Sequence, residues 1–118
     1  ISDAPLRFLA AEITREKIFE RLHDELPYRS TVETEQWQQR PDGSVRIEQT
    51  IYVEREGQRK IVLGEGGQTI KAIGQKARIE IAEAAEATVH LFLFVKVREN
   101  WSDDPARYRE MGLEFPKG

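Results

Sequence analysis

The sequence predicts an α+β domain in which three strands form one sheet and the helices pack on one face of it. Three observations lead to this prediction. Apolar residues recur at helical spacing near the N-terminus, a β-hairpin pattern surrounds a Pro-Asp-Gly turn, and a glycine-rich loop separates two further helical segments. A β-rich segment follows them, so the expected order is helix, strand, strand, helix, helix, strand (α-β-β-α-α-β).

The first helix is predicted from apolar residues that would line one side of a helix. These residues are Leu6, Leu9, Ile13, Ile18, Leu22 and Leu26. We expect Phe8 and Phe19 to widen the same apolar face. Pro27 ends the pattern, because proline has no N–H to donate inside a helix.

Two strands and a tight turn make up the predicted hairpin. The first strand covers residues 31–37, where Val32 and Trp37 mark the ends of an alternating stretch. The second covers residues 45–53, whose odd-numbered positions share one largely apolar face. Between the strands, Pro41 presets one backbone angle of the turn and Gly43 accepts a positive one.

Two helical segments flank the glycine loop. The first is short, at residues 59–63, and the second is the longest helical pattern in the chain, at residues 67–87. The residues of the second expected to face the core are Ile70, Ile73, Ala77, Ile81 and Ala84. Gly74 lies inside this helix, where glycine costs about 1 kcal/mol relative to alanine. A close backbone contact or simple tolerance would account for it.

The last strand is predicted at residues 88–97, where β-branched and aromatic residues occupy both faces. This pattern predicts a central or well-covered strand, and a two-helix crossover permits a parallel neighbour without requiring one. For the whole chain we expect a linker remnant at residues 1–5, the domain at residues 6–99, and a polar tail with scattered aromatic residues at residues 100–118.

Composition argues against several functional classes. The 118 residues include no cysteine, so the chain has neither disulfides nor thiolate chemistry. No apolar run approaches the roughly 20 residues that a membrane-spanning helix needs. The two histidines, His23 and His90, share no motif with a catalytic partner, and His90 is expected at the edge of the core. An enzyme is therefore the least favoured interpretation.

The net charge of −3 is unevenly distributed. Residues 55–78 carry six cations and two anions, a local charge of +4 that leaves −7 for the rest of the chain. A basic surface on an acidic body is typical of phosphate binding. The alternative is that these side chains are solvated charges on helix surfaces.

The glycine loop reads Gly64-Glu65-Gly66-Gly67, and the helical segment that follows it contains Lys71. Glycines permit left-handed backbone angles and the close approach of another chain. The N–H groups at the start of the next helix lack internal partners and lie at the positive end of its dipole, so they can bind phosphate. Gly-x-x-Gly loops of this kind clamp a nucleic-acid backbone in KH modules. A purely structural turn is the alternative.

The order of elements, with the loop between the two middle helices, resembles the type II KH fold. The flanking sequences resemble the C-terminal domain of the Era family, bacterial GTPases that assist assembly of the small ribosomal subunit. The similar segments are residues 12–17, 25–28, 52–55, 61–74, 95–97 and 100–101. They extend over nearly the whole chain.

This resemblance implies that the chain binds single-stranded RNA near the 3′ end of small-subunit rRNA, within the 30S ribosomal subunit. The implied RNA-binding residues are Gly64, Glu65, Gly66, Gly67, Ile70, Lys71, Arg59, Lys60 and Arg78. A monomer is expected, partnered by a GTPase domain of the same parent protein, with GTP and Mg²⁺ needed for that domain and no cofactor for this chain. The parent is expected to be cytoplasmic, or peripheral at the inner membrane.

Two departures from the Era pattern modify these expectations. Glu65 occupies a loop position where lysine or arginine is common, so we expect weaker salt dependence than in a lysine-bearing loop. The sequence contains no Gly-x-x-x-x-Gly-Lys-Ser/Thr motif, so this chain is expected neither to bind nor to hydrolyse GTP.

A protein-interaction domain on a KH scaffold is the alternative function, favoured by the acidic total charge and by Glu65. It predicts no change at the loop when RNA is added, and an apolar patch elsewhere, for example among residues 101–115. Under either function, four aromatic residues are expected in the core or at its edge and not as base-stacking platforms. They are Tyr28, Trp37, Tyr52 and Trp101.

Overall fold

The computed structural model describes residues 3–26 and 30–98, and within these ranges the predicted order of elements is confirmed. The elements are α1 (Ala4–Leu22), β1 (Thr31–Gln39), β2 (Val45–Val53), α2 (Glu56–Leu63), a 3₁₀ turn (Glu65–Gly67), α3 (Gln68–Ala85) and β3 (Val89–Val97). None of the helices in these ranges could cross a membrane. The predicted tail, with Trp101, and Tyr28 lie outside the described residues.

The sheet has the strand order β1-β2-β3, with β1 antiparallel and β3 parallel to the central strand β2. The parallel pairing settles the direction that the sequence pattern leaves open. The prediction that β3 is central or well covered is wrong, because β3 is an edge strand. Phe92 and Phe94 are 43% and 46% exposed on the face away from the helices, so the apolar residues on its two faces have different surroundings.

A β-bulge explains the unusual spacing in β1. The pairing of β1 with β2 shifts register between Thr34 and Gln36, so Glu35 is the extra residue. Val32 and Trp37 are five positions apart and would face opposite sides of a regular strand. The bulge brings both onto the helix-covered face, where they pack against the core.

The core lies between the sheet and the helices, but it excludes four residues predicted to join it. Ala10, Thr14 and Ile18 face the sheet from α1, and successive residues of a helix are rotated by about 100°. Phe8, Leu9 and Phe19 fall outside the arc that these residues define and are 69%, 43% and 68% exposed. On α3, Ile73, Ala77 and Ile81 are buried as predicted, whereas Ala84 is exposed.

A buried polar chain fixes α1 on the sheet. The Thr14 hydroxyl donates to Oε1 of Gln49 in β2, and Nε2 of Gln49 donates to the Thr34 hydroxyl in β1 at 3.3 Å. Beside it, the Lys17 ammonium lies 2.8 Å from the Glu80 carboxylate, which ties α1 to α3. The hydrogen bond to Glu80 raises the pKa of Lys17 above its ordinary value. These bonds hold α3 in place relative to the sheet.

Candidate nucleic-acid interface

The loop between α2 and α3 has a conformation that requires glycine at Gly64. Its φ is +73°, and a Cβ atom there would lie 2.1 Å from Oγ1 and 2.9 Å from the backbone nitrogen of Thr69. Gly66 and Gly67 also have positive φ, at +62° and +76°, but a Cβ atom at either would meet nothing within 4 Å. The outer surface of the loop is therefore open to a ligand.

The loop leads directly into the N-terminus of α3. Gly67 is the N-cap residue in the left-handed conformation, and no side chain caps the helix. By contrast, the Gln58 side chain of α2 accepts hydrogen bonds from the backbone N–H groups of Glu54 and Arg55, at 2.8 and 3.1 Å. The first N–H groups of α3 thus lack a side-chain partner at the positive end of the helix dipole.

The apolar residues next to the loop anchor it to the core. Val62 is fully buried, and Ile61 and Ile70 pack against the same cluster from α2 and α3. The loop is therefore held against the core from both flanking helices.

A groove of about 530 Å³ runs between α3 and the edge strand β3. The residues that line it are Ile70, Lys71, Gly74, Gln75, Arg78, Leu91, Phe92, Leu93 and Phe94. At its floor, a Cβ atom on Gly74 would lie 3.4 Å from Cδ1 of Leu93. This distance is an ordinary van der Waals contact and involves a side chain, so of the two explanations for this mid-helix glycine the structure supports simple tolerance and not a close backbone contact.

The β3 edge presents main-chain groups to this groove. Val45 N–H donates to Thr88 C=O at 2.9 Å, and Arg98 N–H donates to Val53 C=O at 2.7 Å. In a parallel pair, alternate residues direct both main-chain groups toward the neighbouring strand. The main-chain N–H and C=O groups of the even-numbered residues of β3 therefore point toward β2. The N–H and C=O groups of Leu91 and Leu93 point away from β2, along the groove.

Two cations line the groove, and neither is paired. Lys71 and Arg78 are exposed, and within the described residues neither takes part in an ion pair. Lys60 is exposed on α2, where its carbonyl accepts the Gly64 N–H. Arg59 lies 3.0 Å from the Glu56 carboxylate and does not line the groove. Positive charge is therefore concentrated along one side of α3.

The structure thus brings together most of the predicted site residues. Ile70, Lys71 and Arg78 line the groove, and the glycine loop with Glu65 directly precedes the helix that carries them, whereas Arg59 and Lys60 lie on α2. Sequence reasoning did not identify the residues of β3, nor Gln75, that complete the wall of the groove. This wall forms because β3 pairs at the edge of the sheet next to α3, and no local sequence pattern encodes that pairing.

The histidines do not form a second site. His23 caps the C-terminal end of α1, and its ring lies 5.4 Å from that of Phe19. His90 is exposed on β3 and not at the edge of the core as predicted. Among residues 3–26 and 30–98, no group of three or more histidine, aspartate or glutamate side chains could hold a metal ion.

Known proteins with this sequence pattern share the fold. A KH domain family profile matches residues 25–102. GTPase Era of Brucella suis is 75% identical over 116 residues, covering 98% of this chain and 37% of that protein. GTPase Era of Sinorhizobium medicae is 72% identical over 117 residues, covering 99% of this chain and 38% of that protein. The chain spans little more than a third of these curated relatives.

Solved structures agree with these relatives. Aquifex aeolicus Era bound to GDP and aluminium fluoride superposes with a TM-score of 0.77 at 35% identity, over 92% of this chain and 36% of that chain. An Era structure in complex with MgGDPNP and nucleotides 1506–1542 of 16S ribosomal RNA gives the same values. The chain therefore belongs to the KH domain family, and over nearly its whole length it is similar to the part of GTPase Era that it matches.

Proposed function

We propose that this chain binds single-stranded RNA in the groove between α3 and β3, with the sugar–phosphate backbone crossing Gly64–Gly67. The observation that carries the proposal is the meeting of three features around one groove. They are an uncapped helix N-terminus behind a glycine loop, the unpaired cations Lys71 and Arg78, and a strand edge with outward main-chain groups.

The phosphates contact the loop side of the groove. Gly66 and Gly67 leave space for a phosphate to approach the backbone, and the N–H groups of α3 that follow can donate to it. Lys71 and Arg78 lie farther along the same helix and can pair with the next phosphates. Glu65 is exposed at the loop and opposes this attraction, so backbone donors contribute a larger share of the binding.

The bases contact the β3 side of the groove. The outward N–H and C=O groups of Leu91 and Leu93 match the donors and acceptors on base edges. Ile70 and the leucine side chains supply an apolar surface between them. Base edges are available in this way in unpaired strands, which favours single-stranded RNA over a duplex.

We further propose that the natural ligand is the 3′ end of small-subunit rRNA and that the domain supports 30S assembly as the RNA-binding part of an Era-like GTPase. The similar Era structure with nucleotides 1506–1542 of 16S ribosomal RNA supports this assignment. The domain acts as a monomer, and GTP binding belongs to another domain of the parent protein.

The experiment is a titration of ¹⁵N-labelled protein at low salt with a short single-stranded RNA that copies the rRNA 3′ end. We expect saturable amide shifts that cluster at residues 64–71 and 91–94. The matched control is the same RNA annealed to its complement, which should produce much weaker shifts. Unchanged amides at the loop in a folded sample would contradict RNA binding and favour the protein-interaction alternative.

A further inference from the structure

The sheet has an open face that no described helix covers. By strand alternation and register, its residues on β2 and β3 are Arg46, Glu48, Thr50, Tyr52, His90, Phe92, Phe94 and Lys96. The opposite face carries the buried residues Ile47, Gln49 and Ile51. The open face is therefore a separate surface, and it shares the β3 edge with the groove.

Phe92 and Phe94 belong to both surfaces. They lie on the open face and also line the groove, with 43% and 46% of their surface exposed. Thr50, the register partner of Phe94, is 2% exposed beneath the surrounding side chains. Phe92 and Phe94 thus lie at the lip where the groove meets the open face.

Two guanidinium groups lie over aromatic rings on this face. The Arg46 guanidinium lies 4.5 Å from the Phe92 ring centroid and is held by an ion pair with Glu48. The Arg98 guanidinium lies 3.6 Å from the Tyr52 ring centroid and 3.5 Å from the Glu33 carboxylate. Such stacked pairs present planar surfaces that are fixed before a ligand arrives.

We propose that RNA leaving the groove crosses the β3 edge and stacks its next bases on Phe92 and Phe94, beside Arg46. The inference rests on the proposed function, since the groove supplies the strand that continues onto this lip. Exposed aromatic rings and guanidinium planes are the surfaces on which unpaired bases stack. Lys96 on the same face provides a positive charge for the backbone.

The composition of the open face favours RNA over a protein partner. The buried centres of protein interfaces are depleted of charged residues. Here two of the three aromatic rings adjoin charged groups: Arg46 and Glu48 beside Phe92, and Arg98 beside Tyr52. A base can stack on such a ring or guanidinium while its phosphate stays in solvent, whereas a protein would have to desolvate these charges.

The experiment compares a segment of about four nucleotides, the length that a KH loop clamps, with the same segment extended by about four nucleotides at its 5′ or its 3′ end. We expect one extension to tighten binding about tenfold in the parent protein. In the double variant Phe92→Leu and Phe94→Leu, the extended RNA should bind no more tightly than the short one. Addition of the favoured RNA should also move the Phe92 and Phe94 ring-proton resonances upfield in the parent.

The control variant is Phe19→Leu, which removes a more exposed ring from α1, outside the groove lining. No gain from either extension in the parent, or a gain that survives in the double variant, would overturn the stacking proposal.

The loop variant Glu65→Asp with Gly66→Asp separates the two proposals. Suppose that the loop variant no longer binds the short RNA, and that the double phenylalanine variant still binds the extended RNA more tightly than the short one. The groove function is then supported and the stacking proposal is contradicted. If the loop variant binds every RNA as the parent does, the groove function itself fails.

Discussion

The hairpin turn at residues 40–44 and the glycine loop at residues 64–67 both depend on glycines with positive φ, yet they are built in opposite ways. In the hairpin turn, Oδ1 of Asp42 accepts hydrogen bonds from the Ser44 N–H at 2.9 Å and from the Ser44 hydroxyl at 2.6 Å. No side chain caps the glycine loop or the start of α3. A side-chain acceptor completes the first turn, whereas the described residues place no side-chain acceptor at the second.

This difference shows what separates a structural glycine turn from a binding one. Glycine content and backbone angles are similar, so neither is diagnostic. What distinguishes the loop is a missing side-chain acceptor, a helix start behind it and the adjacent groove with Lys71 and Arg78. The loop should therefore respond to charge by changing RNA affinity, and the hairpin turn should respond by changing stability alone.

The largest expected effect comes from replacing Glu65 and Gly66 together by aspartate. We expect RNA affinity to fall about a hundredfold or more, because two carboxylates would face the phosphate backbone. The fold should survive, since both positions are exposed and a Cβ atom at Gly66 would meet nothing within 4 Å. Fluorescence anisotropy with labelled RNA measures the affinity, and circular dichroism checks the fold.

The matched control for this variant is Gly43→Asp, which changes the net charge equally at a second open glycine turn. It should leave RNA affinity unchanged. Equal losses of affinity in both variants would mean that total charge, and not the loop, determines binding.

The second effect concerns stability. Gly64→Ala should lower the free energy of unfolding by about 3 kcal/mol, because it adds a clash with Thr69 to the strain of a positive φ. Gly43→Ala carries the strain without the clash and should cost about 1 kcal/mol. Urea denaturation gives both values. If the two alanine variants lose similar amounts of unfolding free energy, the loop must relax around Thr69 to remove the clash.

A smaller effect is expected from Glu65→Lys. Binding should tighten several-fold, and the slope of log affinity against log salt should steepen by about 0.7, the value for one further phosphate contact on a single strand. Anisotropy titrations over a range of salt concentrations measure the slope, with Glu83→Lys, at an exposed position of α3 outside the groove lining, as the control for net charge. An unchanged slope would indicate that residue 65 points away from the phosphates.

The smallest effect is the pH response of the hairpin turn. Hydrogen bonds from the Ser44 hydroxyl and N–H lower the pKa of Asp42 below its ordinary value. A depressed folded-state pKa stabilises the protein above the unfolded pKa of about 4, and this contribution disappears as pH falls through the folded value. Urea denaturation between about pH 2 and 6 should show a shallower acid loss for Asp42→Asn than for the parent. RNA affinity at neutral pH should be the same in both.

Much of the fold follows from local patterns. The observed limits of β2 are those predicted, because strict alternation sets its register and both ends are marked by turns. The position of Phe8 and Phe19 could not be predicted, since an apolar residue at roughly helical spacing does not report the rotation of α1 on the sheet. The bulge at Glu35 is likewise invisible locally, because it arises from pairing with β2.

The candidate site divides in the same way. The glycine loop, Ile70 and Lys71 are continuous in sequence, so their motif is readable. The opposite wall comes from β3, whose contact with α3 depends on strand order and direction. The apolar residues of β3 suggested burial on both faces, although Phe92 and Phe94 are half exposed. A site between two distant segments requires tertiary structure.

The parallel pairing of β3 with β2 also affects when the protein becomes competent to bind. Val45 pairs with Val89 across the entire α2–α3 crossover, and such non-local contacts form slowly because a long loop must first close. One wall of the groove does not exist until that closure is complete. We therefore expect a newly made chain to acquire its ligand affinity in the last step of folding, so a partly folded domain would not compete for RNA.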